Sequence, residues 1–362
     1  MRDDRPSPAW PSPTSPSNYY ATDATTPYGV PVGLAGPMRF LRSAVEVDVS
    51  DAVPLPGHHV VRGVVLTSSV PTPSGSESLV WCCLPGGNCT SAYFDLHVDG
   101  DGTSYSMAAH LAGAGGVVLA LDHLGTGASS PVDDSFLVTP DVLATADHAA
   151  FTGLIERLQK GTLVPGLEPV VAPMPIGLGH SMGAMITIIG QARYGTYAAV
   201  ANLGGGGGGL PAYLHDPRWV TWDLAQLRTS LVELARQQFS GTTAEPDRGR
   251  PGIFHADDVP APVLGAFRSQ LTALLPSCAL ASIIPSFTDP ERAEIAVPLF
   301  LGFGEHDLSQ VPHDAVRSFR SSSDITLFVL AGSGHCHNQA GNRRQLWDRM
   351  VAWARSTPLR IP

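Results

Sequence analysis

Residues 174–194 read MPIGLGHSMGAMITIIGQARY, and this stretch decides the fold. The apolar run from Met174 to Leu178 predicts a buried strand, and the stretch from Met182 to Tyr194 predicts a helix directly after it. A G-x-S-x-G sequence, GHSMG at 179–183, therefore lies at a strand-to-helix turn. Glycines at both ends of such a turn avoid the clash that a Cβ would make where backbones approach closely. We expect the turn to raise Ser181 at the carboxyl end of the strand, where open α/β sheets bind ligands.

Short apolar runs and helical stretches alternate on both sides of this turn. The predicted strands are 79–84, 116–121, 174–178, 198–203, 297–302 and 325–330, and the predicted helices are 104–112, 141–160, 182–194, 312–319 and 338–355. Parallel strands need crossover helices and lie buried, so the pattern predicts an α/β fold with a doubly wound, mostly parallel sheet. Alternating valines between Ser43 and Val70 add an antiparallel pair of strands at one edge.

The alternation stops between residues 210 and 296, where the pattern predicts helices at 220–239 and 261–275 around a polar loop. The stretch is too long for an ordinary loop, which predicts an inserted helical subdomain. Residues 1–36 are rich in proline and serine, which predicts a tail or an arm. The predicted organisation is a tail at 1–36, the first part of the core at 37–209, the helical insertion at 210–296 and the second part of the core at 297–362.

The composition excludes several classes of protein. With 32 acidic and 22 basic side chains the formal charge is −10, which argues against binding to nucleic acid or to an anionic membrane surface. Five cysteines without a C-x-x-C pair indicate neither a disulfide framework nor a zinc ribbon. The first residues contain no apolar signal-peptide region, and no run of 18 apolar residues follows. We therefore expect a cytoplasmic protein with reduced thiols, and a homo-oligomer is left open.

Two further polar side chains follow predicted strand ends in the second part of the core. Asp307 follows the strand at 297–302, and His335 follows the strand at 325–330. A serine hydroxyl attacks a carbonyl only when a base takes its proton, and a histidine held by a carboxylate is the common base. We favour Ser181, Asp307 and His335 as this set. Glu305 competes with Asp307 and His337 competes with His335, and Ser181 could instead be a simple helix N-cap.

The loop after the strand at 79–84 supplies candidate hydrogen-bond donors. It reads PGGN at 85–88. Attack on a carbonyl concentrates negative charge on its oxygen, which preorganised N–H groups stabilise. We assign the backbone N–H groups of Gly87 and Met182 to this role, with Asn88 as the alternative to Gly87.

Taken together, these motifs resemble those of the α/β-hydrolase superfamily over about residues 43–356. The matching motifs are LPGGN at 84–88, DHLGTGAS at 122–129, GHSMG at 179–183, GFGEHD at 302–307 and GSGH at 332–335. Pro85 stands where many members have histidine, which affects the register of the oxyanion loop and leaves Ser181, Asp307 and His335 unaffected. The resemblance implies that the insertion at 210–296 is a cap over the active site that sets substrate choice.

The expected activity is that of a serine hydrolase acting through an acyl-enzyme. The insertion stretches 224–239 and 275–287 are rich in Leu, Ile and Ala, which favours an ester or lactone of a medium-sized, largely apolar molecule. This chemistry requires no cofactor, and Cys336 lacks the three or four convergent ligands of a metal site. Three alternatives stay open: a thioesterase or acyltransferase, a C–C bond hydrolase with the same triad, and a non-catalytic binding module on the same fold.

Overall fold

A computed structural model describes residues 21–22, 38–68, 78–100, 104–239, 254–255, 258–308 and 311–360. Most of the predicted tail at 1–36 and the polar loop near 241–252 lie outside the described residues. The strands are β1 (Ala21–Thr22), β2 (Met38–Asp48), β3 (Val60–Ser68), β4 (Ser78–Leu84), β5 (Val117–Leu121), β6 (Pro173–His180), β7 (Ala199–Leu203), β8 (Leu299–Gly304) and β9 (Ile325–Leu330).

These strands form one sheet in the order β1-β2-β3-β5-β4-β6-β7-β8-β9. The first four strands in this order pair antiparallel, and every pairing from β5 to β9 is parallel. The predicted antiparallel edge and the mostly parallel sheet are confirmed. Because parallel strands point the same way, the segments that follow β4, β6, β8 and β9 meet at one edge of the sheet, and this edge contains every predicted site residue.

Helices cover both faces of the sheet. They are α1 (Met107–Gly113), α2 (Pro140–Gln159), α3 (Met182–Tyr194), α4 (Leu224–Gln238), α5 (Ala261–Ser269), α6 (Pro276–Ile283), α7 (Asp289–Glu294), α8 (Pro312–Ser318) and α9 (Arg344–Ser356). Alternate residues of β4 point into different cores: Val80 and Cys82 join the core with α2 and α3, whereas Trp81 and Cys83 join the core with α1 and α9. Two packed layers of helix around one sheet are the doubly wound architecture that the alternation predicted.

The stretch between β7 and β8 contains α4 to α7 and two short 3₁₀ turns, Pro211–Tyr213 and Pro217–Thr221. Its apolar side chains pack on the main core, since Leu227, Leu231 and Cys278 are buried there. The domain boundaries at 210 and 296 stay a prediction. None of the helices in the described ranges is long and apolar enough to cross a membrane.

Three predicted helices differ from the observed ones by four residues or more at one end. The helix predicted at 220–239 begins at Leu224. The helix predicted at 261–275 ends at Ser269, because the N–H of Thr272 donates to the carbonyl of Asn88 and not to its own helix. The helix predicted from Asn338 begins at Arg344. Asn338 is buried, donates to the Tyr93 carbonyl at 3.0 Å and accepts from the Trp347 indole at 2.9 Å, so distant partners fix its backbone.

Candidate active site

Ser181 occupies a strained turn between β6 and α3. Its φ of 54° and ψ of −118° lie outside the usual region for a residue with a side chain. The backbone N–H donates to the Leu203 carbonyl at 2.8 Å, which fixes the turn to the adjacent strand. Ser181 occupies the N-cap position of α3, but its side chain makes no capping hydrogen bond to the helix.

The two flanking glycines of this turn are required by packing. A Cβ at Gly183 would collide with the backbone oxygens of Leu84 and Pro85, at the end of the neighbouring strand β4. A Cβ at Gly179 would lie 2.5 Å from the Cα of Ala184. Gly183 therefore allows the turn to approach the end of β4 closely, and Gly179 allows the first residues of α3 to lie against the end of β6.

Asp307 and His335 meet at the ends of β8 and β9. The Nδ1 of His335 lies 2.6 Å from Oδ1 of Asp307, and the two side chains are 4% and 0% exposed. The N–H groups of Gly304 and Leu308 also donate to this carboxylate, at 3.1 and 2.7 Å. Glu305 lies at the surface and accepts the N–H of Gly332 at 2.7 Å. The geometry thus favours Asp307 over Glu305 as the partner of His335.

His337 binds the second oxygen of the same carboxylate. Its Nε2 lies 2.8 Å from Oδ2 of Asp307, and its side chain is fully buried. Burial raises the pKa of Asp307, but the charges and hydrogen bonds of His335 and His337 outweigh this effect and hold the pKa well below its ordinary value. Asp307 is therefore a carboxylate, which accepts hydrogen bonds from both histidines.

The second ring nitrogen of His335, Nε2, is the one that does not face Asp307. Because an ionised carboxylate can only accept, Nδ1 of His335 carries the proton and Nε2 is free of one in the neutral ring. Among the described residues Nε2 has no hydrogen-bond partner. Ser181 and His335 both line a cavity of about 760 Å³. A Cβ at Gly204, which has a φ of +69°, would lie 2.8 Å from the His335 ring, so a glycine is needed beside the ring.

His180 supports the loop that holds His335. Its Nε2 donates to the His335 carbonyl at 2.9 Å, and its ring stacks on Tyr93 with centroids 4.2 Å apart. Burial lowers the pKa of His180 well below its ordinary value, and the charges of His335 and His337 act in the same direction. His180 is therefore neutral, and its role in this geometry is to position a neighbour.

The loop at 85–88 lies against the turn of Ser181. A Cβ at Gly86 would lie 3.1 Å from the Ser181 Cβ, and a Cβ at Gly87 would lie 3.8 Å from the Sδ of Met182. Gly87 therefore lies near the side chain of Met182, and the assignment of the two N–H donors stays a prediction. Asn88 bonds through its carbonyl and its amide side chain to Thr272, at 2.9 and 3.1 Å.

His123, which belongs to the motif at 122–129, forms a hydrogen bond that holds this loop. Its Nε2 lies 2.9 Å from the Pro85 carbonyl and its Nδ1 lies 3.1 Å from Oδ2 of Asp147. Burial lowers the pKa of His123, but the charge and hydrogen bond of Asp147 raise it above its ordinary value overall. A protonated ring donates to both partners and so fixes the Pro85 carbonyl at the start of the 85–88 loop.

The cavity has an apolar part and a charged part. Leu210, Pro211, Ile283, Ile284 and Phe287 supply apolar side chains, and Gly204–Gly209 supplies backbone. Arg292 also lines the cavity, although it is only 2% exposed. The predicted stretch 275–287 contributes to this lining, whereas no residue of the predicted stretch 224–239 does, and Arg292 was not predicted. Within the described ranges no group of three or more His, Cys, Asp or Glu side chains is arranged to hold a metal ion.

Solved structures share this fold over most of the chain. A bromoperoxidase from Bacillus anthracis is 14% identical with a TM-score of 0.54, and the match covers 87% of this chain and 100% of that one. An enol-lactonase from Burkholderia xenovorans LB400 is 15% identical with a TM-score of 0.53, covering 82% and 97%. An esterase from Exiguobacterium antarcticum is 15% identical with a TM-score of 0.51, covering 88% and 97%. At such identities the likeness shows the fold alone. No curated protein matches the sequence.

A family comparison gives the assignment. The sequence model of the alpha/beta hydrolase family matches residues 83–346, which is more than half of the chain and includes Ser181, Asp307 and His335. The chain belongs to the alpha/beta hydrolase family.

Proposed function

We propose that this hydrolase cleaves an ester or lactone of a medium-sized, largely apolar molecule, with Ser181 as the nucleophile. The observation that supports this proposal best is the buried pair of Asp307 and His335, joined at 2.6 Å. It leaves the second nitrogen of His335 without a partner among the described residues, on a ring that lines the same cavity as Ser181. A histidine so held is oriented to take the proton of a serine hydroxyl.

The first half of the reaction forms the acyl-enzyme. Nε2 of His335 takes the proton from the Ser181 hydroxyl, whose oxygen attacks the carbonyl carbon of the substrate. The carbonyl oxygen becomes an oxyanion, and the N–H groups of Gly87 and Met182 stabilise it; one such donor is worth about 3 kcal/mol in other enzymes. The intermediate collapses when the bond to the alcohol breaks and the alcohol oxygen takes the proton from His335.

The second half releases the acid. A water molecule gives a proton to Nε2 of His335 and attacks the acyl carbon, and the bond to Ser181 then breaks with return of the proton to the serine oxygen. Asp307 keeps the imidazole in one orientation and stabilises the imidazolium that forms in each half. It remains a carboxylate throughout, in accord with its lowered pKa.

The shape and chemistry of the cavity support a medium-sized organic substrate. Its volume of about 760 Å³ lies within the usual range for small-molecule sites. The apolar lining from Leu210, Ile283, Ile284 and Phe287 suits hydrocarbon parts of the substrate. A strained serine beside such a cavity is typical of a catalytic position.

The test is a panel of p-nitrophenyl esters with acyl chains of two to twelve carbons, together with aliphatic γ- and δ-lactones. We expect hydrolysis with an optimum at intermediate chain length, and its loss in Ser181→Ala. Parallel assays with a thioester, with an added amine acceptor and with a vinylogous diketone distinguish acyl transfer and C–C cleavage. The proposal fails if a thioester or diketone is turned over at least tenfold faster than every ester and lactone, or if no substrate reacts.

A further inference from the structure

Arg292 is a buried cation that forms no ion pair with any described residue. It lies in α7 and is 2% exposed. Its Nε donates to Oγ1 of Thr288 at 3.1 Å, its Nη2 donates to the Gly205 carbonyl at 2.8 Å, and its guanidinium lies 5.1 Å from the ring centroid of Phe319. Nη1 has no hydrogen-bond partner among the described residues. No carboxylate in those ranges lies within ion-pair distance of Arg292 either.

Such an arrangement costs free energy. Burial lowers the pKa of Arg292 to about 10 and the charge of Asp289 only partly opposes this effect, so the side chain stays a cation at neutral pH. Buried charges are normally paired and fully hydrogen-bonded, because removal of a charge from water is otherwise expensive. A buried polar group that remains unpaired in a cleft is typical of a functional position.

The position of Arg292 links this unpaired group to the candidate active site. Arg292 lines the same cavity as Ser181 and His335. The glycine segment 204–209 runs between them: the carbonyl of Gly205 binds the guanidinium, and a Cβ at Gly207 would lie 3.0 Å from Cζ of Arg292. Because this segment has no side chains, a small backbone shift can bring Nη1 into contact with a ligand in the cavity.

The other charged side chains that line the cavity are exposed to solvent. Arg317 is exposed and pairs with Asp314 at 2.5 Å. Arg320 and Asp289 are exposed, so water screens their charges. Only Arg292 combines burial, a free N–H group and a place in the wall of the cavity among the described residues.

We propose that Arg292 binds a carboxylate of the substrate, so that the preferred substrates are esters or lactones that carry a free carboxylate away from the bond to be cleaved. This inference rests on the proposed function and names its substrate class more narrowly. A guanidinium and a carboxylate form short, charge-assisted hydrogen bonds, and the planar guanidinium suits the two carboxylate oxygens. Nη1 is buried, so binding requires the segment 204–209 to shift and admit the carboxylate.

The experiment compares each acid with its own methyl ester. In one series the carboxylate is on the acyl chain. The mono-p-nitrophenyl esters of adipic, pimelic and suberic acids are compared with the same p-nitrophenyl esters in which the free carboxylate is methylated. In the second series the carboxylate is on the alcohol part. The butyrate ester of 3-(4-hydroxyphenyl)propanoic acid is compared with the same butyrate ester in which the propanoic acid group is methylated. We expect kcat/KM to be at least tenfold higher for the acid than for its methyl ester in one of the two series.

Variants identify the residue responsible. In Arg292→Met the kcat/KM for the acid divided by that for its methyl ester should fall to about one, while the methyl ester is still hydrolysed. Arg292→Lys should keep part of the preference for the acid. Arg317→Met removes the same charge from the exposed side of the cavity and should leave the ratio unchanged. If Arg292 only packs against Thr288 and Phe319, its replacement will lower the stability and leave the preference as it was.

A binding measurement covers the case in which Arg292→Met does not fold. Calorimetric titration of Ser181→Ala with monomethyl adipate and dimethyl adipate should show at least tenfold tighter binding of the acid. The inference is overturned if acids and methyl esters are equivalent in both series and in the titration, or if the preference survives in Arg292→Met. Absence of Ser181-dependent hydrolysis of every ester would instead contradict the proposed function, and the titration would still decide whether a carboxylate binds.

Discussion

His337 holds the carboxylate of Asp307 from the side opposite to His335, with its Nε2 2.8 Å from Oδ2. Together with His335 and the N–H groups of Gly304 and Leu308, it brings the number of donors on this carboxylate to four. A carboxylate has about four sites for accepting hydrogen bonds, so this one is saturated. We therefore interpret His337 as a positioning residue that fixes the acid of the proposed triad and does not touch the substrate.

This relationship predicts a loss of turnover when the donor is removed. A hydrogen bond to a charged group is worth about 1.5–3 kcal/mol, so His337→Leu should lower kcat by about tenfold or more with little change in KM. His337→Gln keeps an N–H donor and should recover part of the loss. Steady-state kinetics at saturating p-nitrophenyl ester provides the measurement. Equal kcat in His337→Leu and the wild type would show that the second histidine has no role in the reaction.

The choice between the two acidic candidates can be tested directly. Asp307→Asn replaces an acceptor of the His335 proton with a group that can donate, which favours the wrong tautomer of the ring. In a serine protease the equivalent change lowers kcat by about 10⁴, and we expect a loss of at least about a thousandfold here. Glu305→Gln is the matched control, because the one hydrogen bond of Glu305 to a described residue is from the exposed Gly332 N–H, and the variant should keep activity within about threefold. The reverse order of these two effects would assign the role to Glu305.

The close packing of the turn predicts contrasting effects of two glycine substitutions in α3. Gly183→Ala places a methyl group against the backbone oxygens of Leu84 and Pro85, and we expect it to lower the free energy of unfolding by about 1–3 kcal/mol or more. Gly190→Ala, two turns further along the same helix, meets only the Ala144 carbonyl at 4.0 Å and should raise that free energy by about 0.5–1 kcal/mol. Urea denaturation of the two variants measures both values. Similar stability of the two would contradict the packing that places Ser181.

The buried neutral His180 predicts a pH dependence of stability. Its pKa is lowered in the folded protein, so below about pH 6.5 the unfolded chain binds a proton that the folded protein does not. Stability attributable to His180 is therefore lost as the pH falls through the pKa of the unfolded chain, by up to about 1.4 kcal/mol per pH unit. Between pH 7.5 and 5.5 the wild type should lose about 1 kcal/mol more than His180→Gln, as measured by urea denaturation at each pH. A larger loss in the variant would mean that His180 is protonated when folded.

The parts of the fold that the sequence predicts well are those set by local pattern. The observed α3 and β9 have the predicted bounds, because an uninterrupted apolar period determines each of them. The residues at 179–183 likewise form the turn that their glycines indicate. Strand ends in a parallel sheet converge, so the order of Ser181, Asp307 and His335 along the chain was enough to predict that Asp307 and His335 meet.

The parts that could not be predicted depend on partners far away in the chain. Asn338 follows a helical pattern, yet its bonds to Tyr93 and Trp347 hold it in a short 3₁₀ turn before α9. His337 could be recognised only as a competitor of His335, since no local signal shows that one carboxylate binds both rings. Nothing in the local sequence indicates that Arg292 is buried. Its burial results from contacts with the glycine segment that precedes it by some 80 to 90 positions and with Phe319.

The central claim is that Ser181 is the nucleophile, and covalent labelling tests it most directly. A fluorophosphonate probe reacts with an activated serine, and peptide mass spectrometry then locates the adduct. We predict one adduct, on the peptide that contains Ser181, and its loss in Ser181→Ala together with at least about a thousandfold lower ester hydrolysis. An adduct on another residue, or hydrolysis by Ser181→Ala at the rate of the wild type, would contradict the account.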